Sequence, residues 1–376
     1  MVPPAPYDRW LIILVLSLIG FGLLMVASAS IEVSDRQLHE PFYYFYRQLI
    51  FIGMGVSLGF IIIQFEVAIW EKIGWALLLA IMVMLALVLL PGIGHSVNGS
   101  SRWIGISFFR IQVSELAKFV VVIYLAGYLV RRHNEITTEL KGFLKPLGVL
   151  AVISVLLIKE PDFGATVVIM ATALGMMFLG GMKIRHFALL FLVVLIAMSV
   201  IAISEPYRMQ RLTTFLNPWA HPFDSGYQLT QSLIAFGRGG VFGVGLGKSI
   251  QKLFYLPEAH TDFLFAVIAE ELGLIGMLVV MVLFILLVLR IFYIGKQAQK
   301  LGKHFSGFVA YGLGLWIAIQ FIVSVGVNSG LLPTKGLTLP LVSYGGSSMI
   351  ICCIVIALLL RIDYENRMML MGLRDG

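Results

Sequence analysis

The sequence predicts an all-α polytopic membrane protein. Three observations carry that reading: an apolar composition, apolar runs of spanning length recurring from end to end, and basic residues confined to the short segments between them. Of 376 residues 59% are hydrophobic and 12% charged, with a mean hydropathy of +0.96, whereas a soluble domain carries about 25% charged residues. The runs lie at 10–29, 47–64, 73–91, 114–130, 146–159, 164–181, 186–204, 263–290, 306–328 and 342–361, and ~20 apolar residues are enough for a helix to cross ~30 Å of hydrocarbon. Ten transmembrane helices are expected. No polar block long enough to fold separately interrupts them, so residues 1–376 read as one membrane domain.

The first run follows Arg9, and Ala27-Ser28-Ala29 behind it imitates a signal-peptidase site. The stretch from Trp10 to Val26 outlasts the ~7–15 residues of a signal core, and further spans follow, so it reads as a retained first helix. The fifth and sixth runs are separated only by Lys159-Glu160-Pro161-Asp162-Phe163-Gly164, where proline cannot continue a helix and glycine permits a tight reversal. With the N-terminus inside, inner segments hold fifteen Lys and Arg and the short outer loops six. The positive-inside rule then puts both termini in the cytoplasm and the long loop between helices seven and eight, about 205–262, outside. Loops of this length are commonly functional.

The net charge of +7 suggests a polyanion, yet a nucleic-acid reader gathers its basic residues on one solvated face. Here they are scattered through short loops, and no nucleic-acid partner is expected. Cys352 and Cys353 are adjacent within an apolar run and read as packing. Gly243-Val244-Gly245-Leu246-Gly247-Lys248-Ser249 misses a phosphate loop, because the first glycine would have to stand where Phe242 is. Those glycines read instead as tight turns and close packing.

Ionisable residues inside spans are costly and draw attention. Glu115 and Lys118, three apart, share a helix face; they form either a structural ion pair or part of a polar substrate cavity. Glu270 and Glu271 read as hydrogen-bonding between helices. Asp262 sits where the long loop meets the eighth helix, and there it is either a helix cap or a functional carboxylate.

The strings YLPEAHTDFLFAVIAEELGLIG at 255–276, NPW at 217–219, GYQLTQSLIA at 226–235 and GLLPTKGLTLPLVSYGGSS at 330–348 resemble the SEDS family of shape, elongation, division and sporulation proteins. The resemblance covers nearly the whole chain. The last of these strings and the tail Leu360-Arg361-Ile362-Asp363-Tyr364-Glu365 look more like the family's cell-division branch than its elongation branch.

That resemblance implies a peptidoglycan glycosyltransferase of the bacterial inner membrane, at the division septum. Its substrate would be lipid II, its leaving group undecaprenyl diphosphate, and its partners a class B penicillin-binding transpeptidase and other divisome membrane proteins. The family's catalytic aspartate falls on Asp262 and its polar cavity residues on Glu115 and Lys118. A flippase for lipid II and a scaffold recruiting the transpeptidase are the competing readings. A diphosphate leaves without protonation, so one carboxylate to take the acceptor's proton, with cations for the phosphate charge, suffices in principle. The family's α-linked donor and β-linked product imply a single inverting displacement. Arg102, Arg208, Arg211, Lys248 and Lys335 are the candidate cations, and Arg102, Arg211, Glu258, His260 and Lys335 join Glu115 and Lys118 as candidate substrate-binding residues. A divalent cation, Mg or Mn, could bridge diphosphate and carboxylate, although the sequence shows no dedicated metal cluster.

Overall fold

The computed structural model describes residues 7–373 except 93, 98–99, 107–108, 139–140, 204–205 and 335; the side chains of Arg208 and Arg211 also fall outside the description. In chain order come α1 (Arg9–Leu38), α2 (Tyr43–Ile62), α3 (Val67–Val88), strands β1 (His95–Val97), β2 (Ser100–Ile106) and β3 (Phe109–Gln112), then α4 (Val113–Arg131), α5 (His133–Thr138), α6 (Lys141–Lys159), α7 (Phe163–Leu179) and α8 (Ile184–Ile203). After these follow α9 (Pro206–Leu216), α10 (Tyr227–Gly239), α11 (Leu264–Lys300), α12 (His304–Asn328) and α13 (Gly346–Leu370).

Eight of these helices are long and apolar enough to cross a membrane; α7, at 17 residues, and the Ile184–Ala197 stretch of α8 are apolar as well. The chain is a multi-pass membrane protein. Each of the ten apolar runs of the sequence falls on one of these ten helices. The loops carry structure of their own. The 91–113 segment folds into an antiparallel sheet with β2 central, and the 205–262 loop is largely helical. Short amphipathic elements give little hydropathy signal, so apolar runs alone do not reveal them.

Helix α4 forms the centre, packed by α3, α7, α12 and α13, while α11 lies along α12 and α1, and α13 lies along α2. Most α4 residues are buried, which suits a helix surrounded by protein. By contrast Leu278, Val282, Ile285 and Leu289 of α11 and Leu192, Ile196 and Val200 of α8 are about half exposed. In a bilayer such side chains face lipid, so their exposure carries no hydrophobic penalty.

Two ionic clusters bracket the apolar slab. At the end bearing both termini, Asp8 is buried, caps α1 through Trp10 N and Leu11 N, and accepts from Arg290 Nε of α11 at 2.6 Å. At the other end Ser28 Oγ of α1 donates to Glu271 of α11 at 2.7 Å, and Lys252 Nζ donates to the same carboxylate at 2.7 Å. From Asp8 to Ser28, and from Arg290 to Glu271, each helix rises ~30 Å at 1.5 Å per residue, matching the hydrocarbon thickness. Glu270 and Glu271 therefore lie at the edge of the slab, and Asp262 lies beyond it.

Helix α11 is broken at Gly273, where φ is 64° and ψ −160°. A break strands backbone donors and acceptors, and segment 240–245 supplies their partners. Leu274 N and Ile275 N donate to the carbonyls of Gly240 and Val241, while Val244 N and Gly245 N donate to those of Glu270 and Glu271. Contact is so close that a Cβ on Gly243 (φ 77°) would lie 2.2 Å from Glu271 O. The run that imitates a phosphate loop is the insert that fills this break.

Candidate active site

At the end away from the termini the bundle opens into a cavity of about 980 Å³. Its wall draws on α2 (Tyr44, Arg47), the sheet (Arg102, Arg110), the start of α4 (Glu115), the turn before α11 (Glu258, His260, Asp262) and the 334–348 segment.

The turn before α11 is wound tightly: Thr261 Oγ1 donates to Glu258 Oε2 at 2.7 Å, and Phe263 N donates to Glu258 O at 3.2 Å. Glu258 holds φ at 55°, a left-handed conformation costing about 1–3 kcal/mol in a residue with a side chain. Phe263 is buried, which leaves Asp262 at the cavity wall.

Asp262 is not the cap of α11. That service comes from Asn328 at the end of α12, whose Oδ1 accepts from Ala266 N at 3.1 Å while its Nδ2 donates to Asp262 O at 2.9 Å and Ser324 O at 2.8 Å. Among the described residues no side chain or backbone N–H donates to the Asp262 carboxylate. It lies against the bare backbone of Gly336, where a Cβ would stand 2.8 Å from Oδ2. Burial, then the Glu258 charge, push its pKa up to about 7, against the opposing pull of Arg102. A carboxylate poised near neutrality suits proton abstraction at working pH.

Arg102 is held from behind, its Nε donating to Glu160 O at 3.3 Å and its Nη2 to Pro161 O at 2.5 Å. The Glu160 side chain is fully buried, and burial followed by the Asp162 charge pushes it up to about 8. Asp162 caps α7 through Ala165 N at 3.1 Å and accepts from Ser114 Oγ at 2.7 Å. Sequence reasoning placed Asp162 only in a turn; its position ahead of a helix start was the available sign. His260 stacks on Tyr44 with ring centroids 4.4 Å apart. Burial lowers the His260 pKa despite the neighbouring Glu258.

Glu115 and Lys118 form an ion pair at 2.7 Å. Glu115 lines the cavity, and its Oε2 has no hydrogen-bond partner among the described residues. Lys118 lies behind it, buried, and also donates to Gln320 Oε1 at 2.7 Å. Lys118 is not among the residues that line the cavity; its ammonium is shared between Glu115 and Gln320. Lys335 and the Arg211 side chain lie outside the described residues. Lys248 does not line the cavity; Arg47 and Arg110, which sequence reasoning passed over, do. Their signal was only a cation at the edge of a span. Among the described residues no three His, Cys, Asp or Glu are grouped to hold a metal.

Residues 9–368 match the family model described as cell cycle protein, covering FtsW, RodA and SpoVE. The chain belongs to the SEDS family. Among SEDS relatives, the probable peptidoglycan glycosyltransferase FtsW of Legionella pneumophila is 55% identical over 372 residues, covering 99% of this chain and 94% of that protein. The Coxiella burnetii protein of the same name is 55% identical over 360 residues, covering 96% of this chain and 97% of its own. Two solved SEDS-type structures share the fold. A chain of a peptidoglycan synthase complex, solved to describe how polymerization and crosslinking are coordinated, superposes with a TM-score of 0.78 at 26% identity, covering 96% of this chain and 98% of that one. Thermus thermophilus RodA, a rod shape determining protein, gives 0.70 at 26% identity, covering 96% and 97%.

Proposed function

We propose that this chain is a peptidoglycan glycosyltransferase that polymerises lipid II into glycan strands during septal wall synthesis. Asp262 serves as general base, taking the proton from the acceptor sugar hydroxyl as that oxygen attacks the donor's anomeric carbon. The bond to undecaprenyl diphosphate breaks in the same inverting displacement, and Arg102, with Arg47 and Arg110 on the cavity wall, balances the phosphate charge. Glu258 and His260 shape the base's surroundings, and Glu115 offers an acceptor to the sugar. Arg211 and Lys335 complete the cation inventory on the sequence reading.

The observation that carries this reading is the state of the Asp262 carboxylate: on the cavity wall, free of capping duty and without a hydrogen-bond donor among the described residues. Residues 1–376 work as a single domain. Both termini face the cytoplasm and the cavity opens outside, where a class B penicillin-binding transpeptidase and other divisome membrane proteins meet the chain. The polyprenyl tail stays in the bilayer among the helices.

Incubation of the purified protein with lipid II in detergent, with and without its transpeptidase partner, tests the proposal. A ladder of glycan products that vanishes in Asp262→Asn is the expected result. Transfer of lipid II between leaflets of a vesicle without polymer would replace it with a transport function.

A further inference from the structure

We propose that Gln320 is a positioning residue of the reaction, coupling the buried Glu115–Lys118 pair to the backbone on which the Asp262 carboxylate rests. The inference builds on Asp262 as general base.

Gln320 is buried in α12 and its carboxamide is engaged at both ends. Its Oε1 accepts from Lys118 Nζ at 2.7 Å and from Trp316 Nε1 at 2.8 Å, and its Nε2 donates to Thr338 O at 2.9 Å. Lys118 reaches this position because Glu115 holds it at 2.7 Å and the Trp316 ring lies beneath its ammonium, 5.1 Å from the centroid.

Thr338 stands two residues from Gly336, the bare backbone beside Asp262 Oδ2. Among the described residues no backbone–backbone hydrogen bond holds 333–334 or 336–338. What fixes this stretch is Gln320 on the Thr338 carbonyl, the Thr338 hydroxyl on Ser348 Oγ at 3.1 Å, and Leu337 packed over Gly164. A chain without its own ladder takes its position from such anchors. A cation on the amide oxygen also polarises the carboxamide and strengthens its N–H as a donor. The charge of Lys118 is thus converted into a fixed position for residues 336–338, and so for the surface that Asp262 touches.

Gln320→Glu isolates the coupling. Ionised beside Lys118, a glutamate still accepts from Lys118 and Trp316 but has no hydrogen to donate to the Thr338 carbonyl. Trp316→Phe is the control: it removes a bond to the same oxygen and leaves Thr338 held. Displacements of an ångström at a reacting group cost up to ~100-fold, so polymerisation of lipid II by Gln320→Glu should lose ~10-fold or more in kcat. Its KM should stay within about twofold, its melting temperature should stay near wild type, and the acid limb of its pH profile should shift. Trp316→Phe should keep wild-type kcat. Gly336→Ala probes the same surface from outside the core, where folding is not at stake, and should lose kcat in the same way. Wild-type kcat and pH profile in folded Gln320→Glu, or equal losses in Gln320→Glu and Trp316→Phe that track melting temperature, would overturn the coupling. An active Asp262→Asn overturns the base assignment and the inference together; an inactive Asp262→Asn beside a fully active Gln320→Glu overturns the inference alone.

Discussion

Asn328 donates its side-chain amide to the carbonyl of Asp262 at 2.9 Å, so one residue at the end of α12 fixes the backbone of another just before α11 and, among the described residues, leaves that residue's carboxylate without a donor. A cap and a catalyst at one position predict different things. If Asp262 capped α11, its replacement by alanine would cost about 1 kcal/mol. With Asn328 as the cap, Asp262→Asn and Asp262→Ala should both melt close to wild type, while loss of the base lowers polymerisation by about 10²–10⁴. Thermal unfolding of the detergent-solubilised variants beside a lipid II assay checks both halves.

The converse change strikes the fold. Asn328→Ala removes the acceptor for Ala266 N and the donors to Asp262 O and Ser324 O in a buried place. It should destabilise by ~2 kcal/mol or more and lower activity through the displaced turn. A melting temperature equal to wild type would show that another group caps α11.

The acid limb of activity should report Asp262. Only its ionised form accepts a proton, so with the carboxyl held at about 7, kcat/KM should rise ~10-fold per pH unit below neutrality and level off above it. Glu258 is the second cause of that elevation, and Glu258→Gln should move the limb to lower pH. A limb unmoved by Glu258→Gln would detach it from Asp262.

Glu160 gives a stability signature of the opposite kind. Its folded pKa is raised to about 8, so between the ordinary carboxylate range and that value the folded protein holds a proton the unfolded chain has released. Stability falls as pH rises through that window. Glu160→Gln lacks this slope. Its melting temperature relative to wild type should climb from pH 5 to pH 8 and flatten beyond; a constant difference would mean that Glu160 titrates normally.

The proposed orientation rests on the charge pattern and is open to labelling. A cysteine replacing His221 should react with an impermeant thiol reagent in intact cells, and one within 131–145 should react only after lysis. Equal reaction at both would refute the topology.

Much of this architecture was legible because lipid is a simple solvent: a run such as 114–130 must be helical if it is to bury its own backbone polar groups, and α4 follows it closely. The pairing of Glu115 with Lys118 was likewise readable from their spacing. What the sequence hid depends on tertiary proximity. Nothing in the local string around Asn328 says that it caps a helix beginning sixty residues earlier, and nothing around Gln320 says that it holds Thr338. The sheet at 95–112 was missed because its strands are short and only partly apolar. The capping alternative for Asp262 could not be settled from sequence, since aspartate before a helix looks the same in either role.

The break at Gly273 also bears on how the protein is made. Segment 240–245 leaves the ribosome before α11, yet it has no ladder to join until α11 arrives, and α11 cannot keep its bend in lipid without it, each stranded backbone group costing several kcal/mol there. The two must mature together. An α11 running straight through Gly273 would keep its own backbone ladder, so the kink and the docking of the preceding segment belong to one step. Gly243→Ala, which puts a methyl group 2.2 Å from Glu271 O, would stall the chain at that step: inserted with its full set of crossings, but held short of the mature arrangement and exposed to the proteases that clear unfinished membrane proteins.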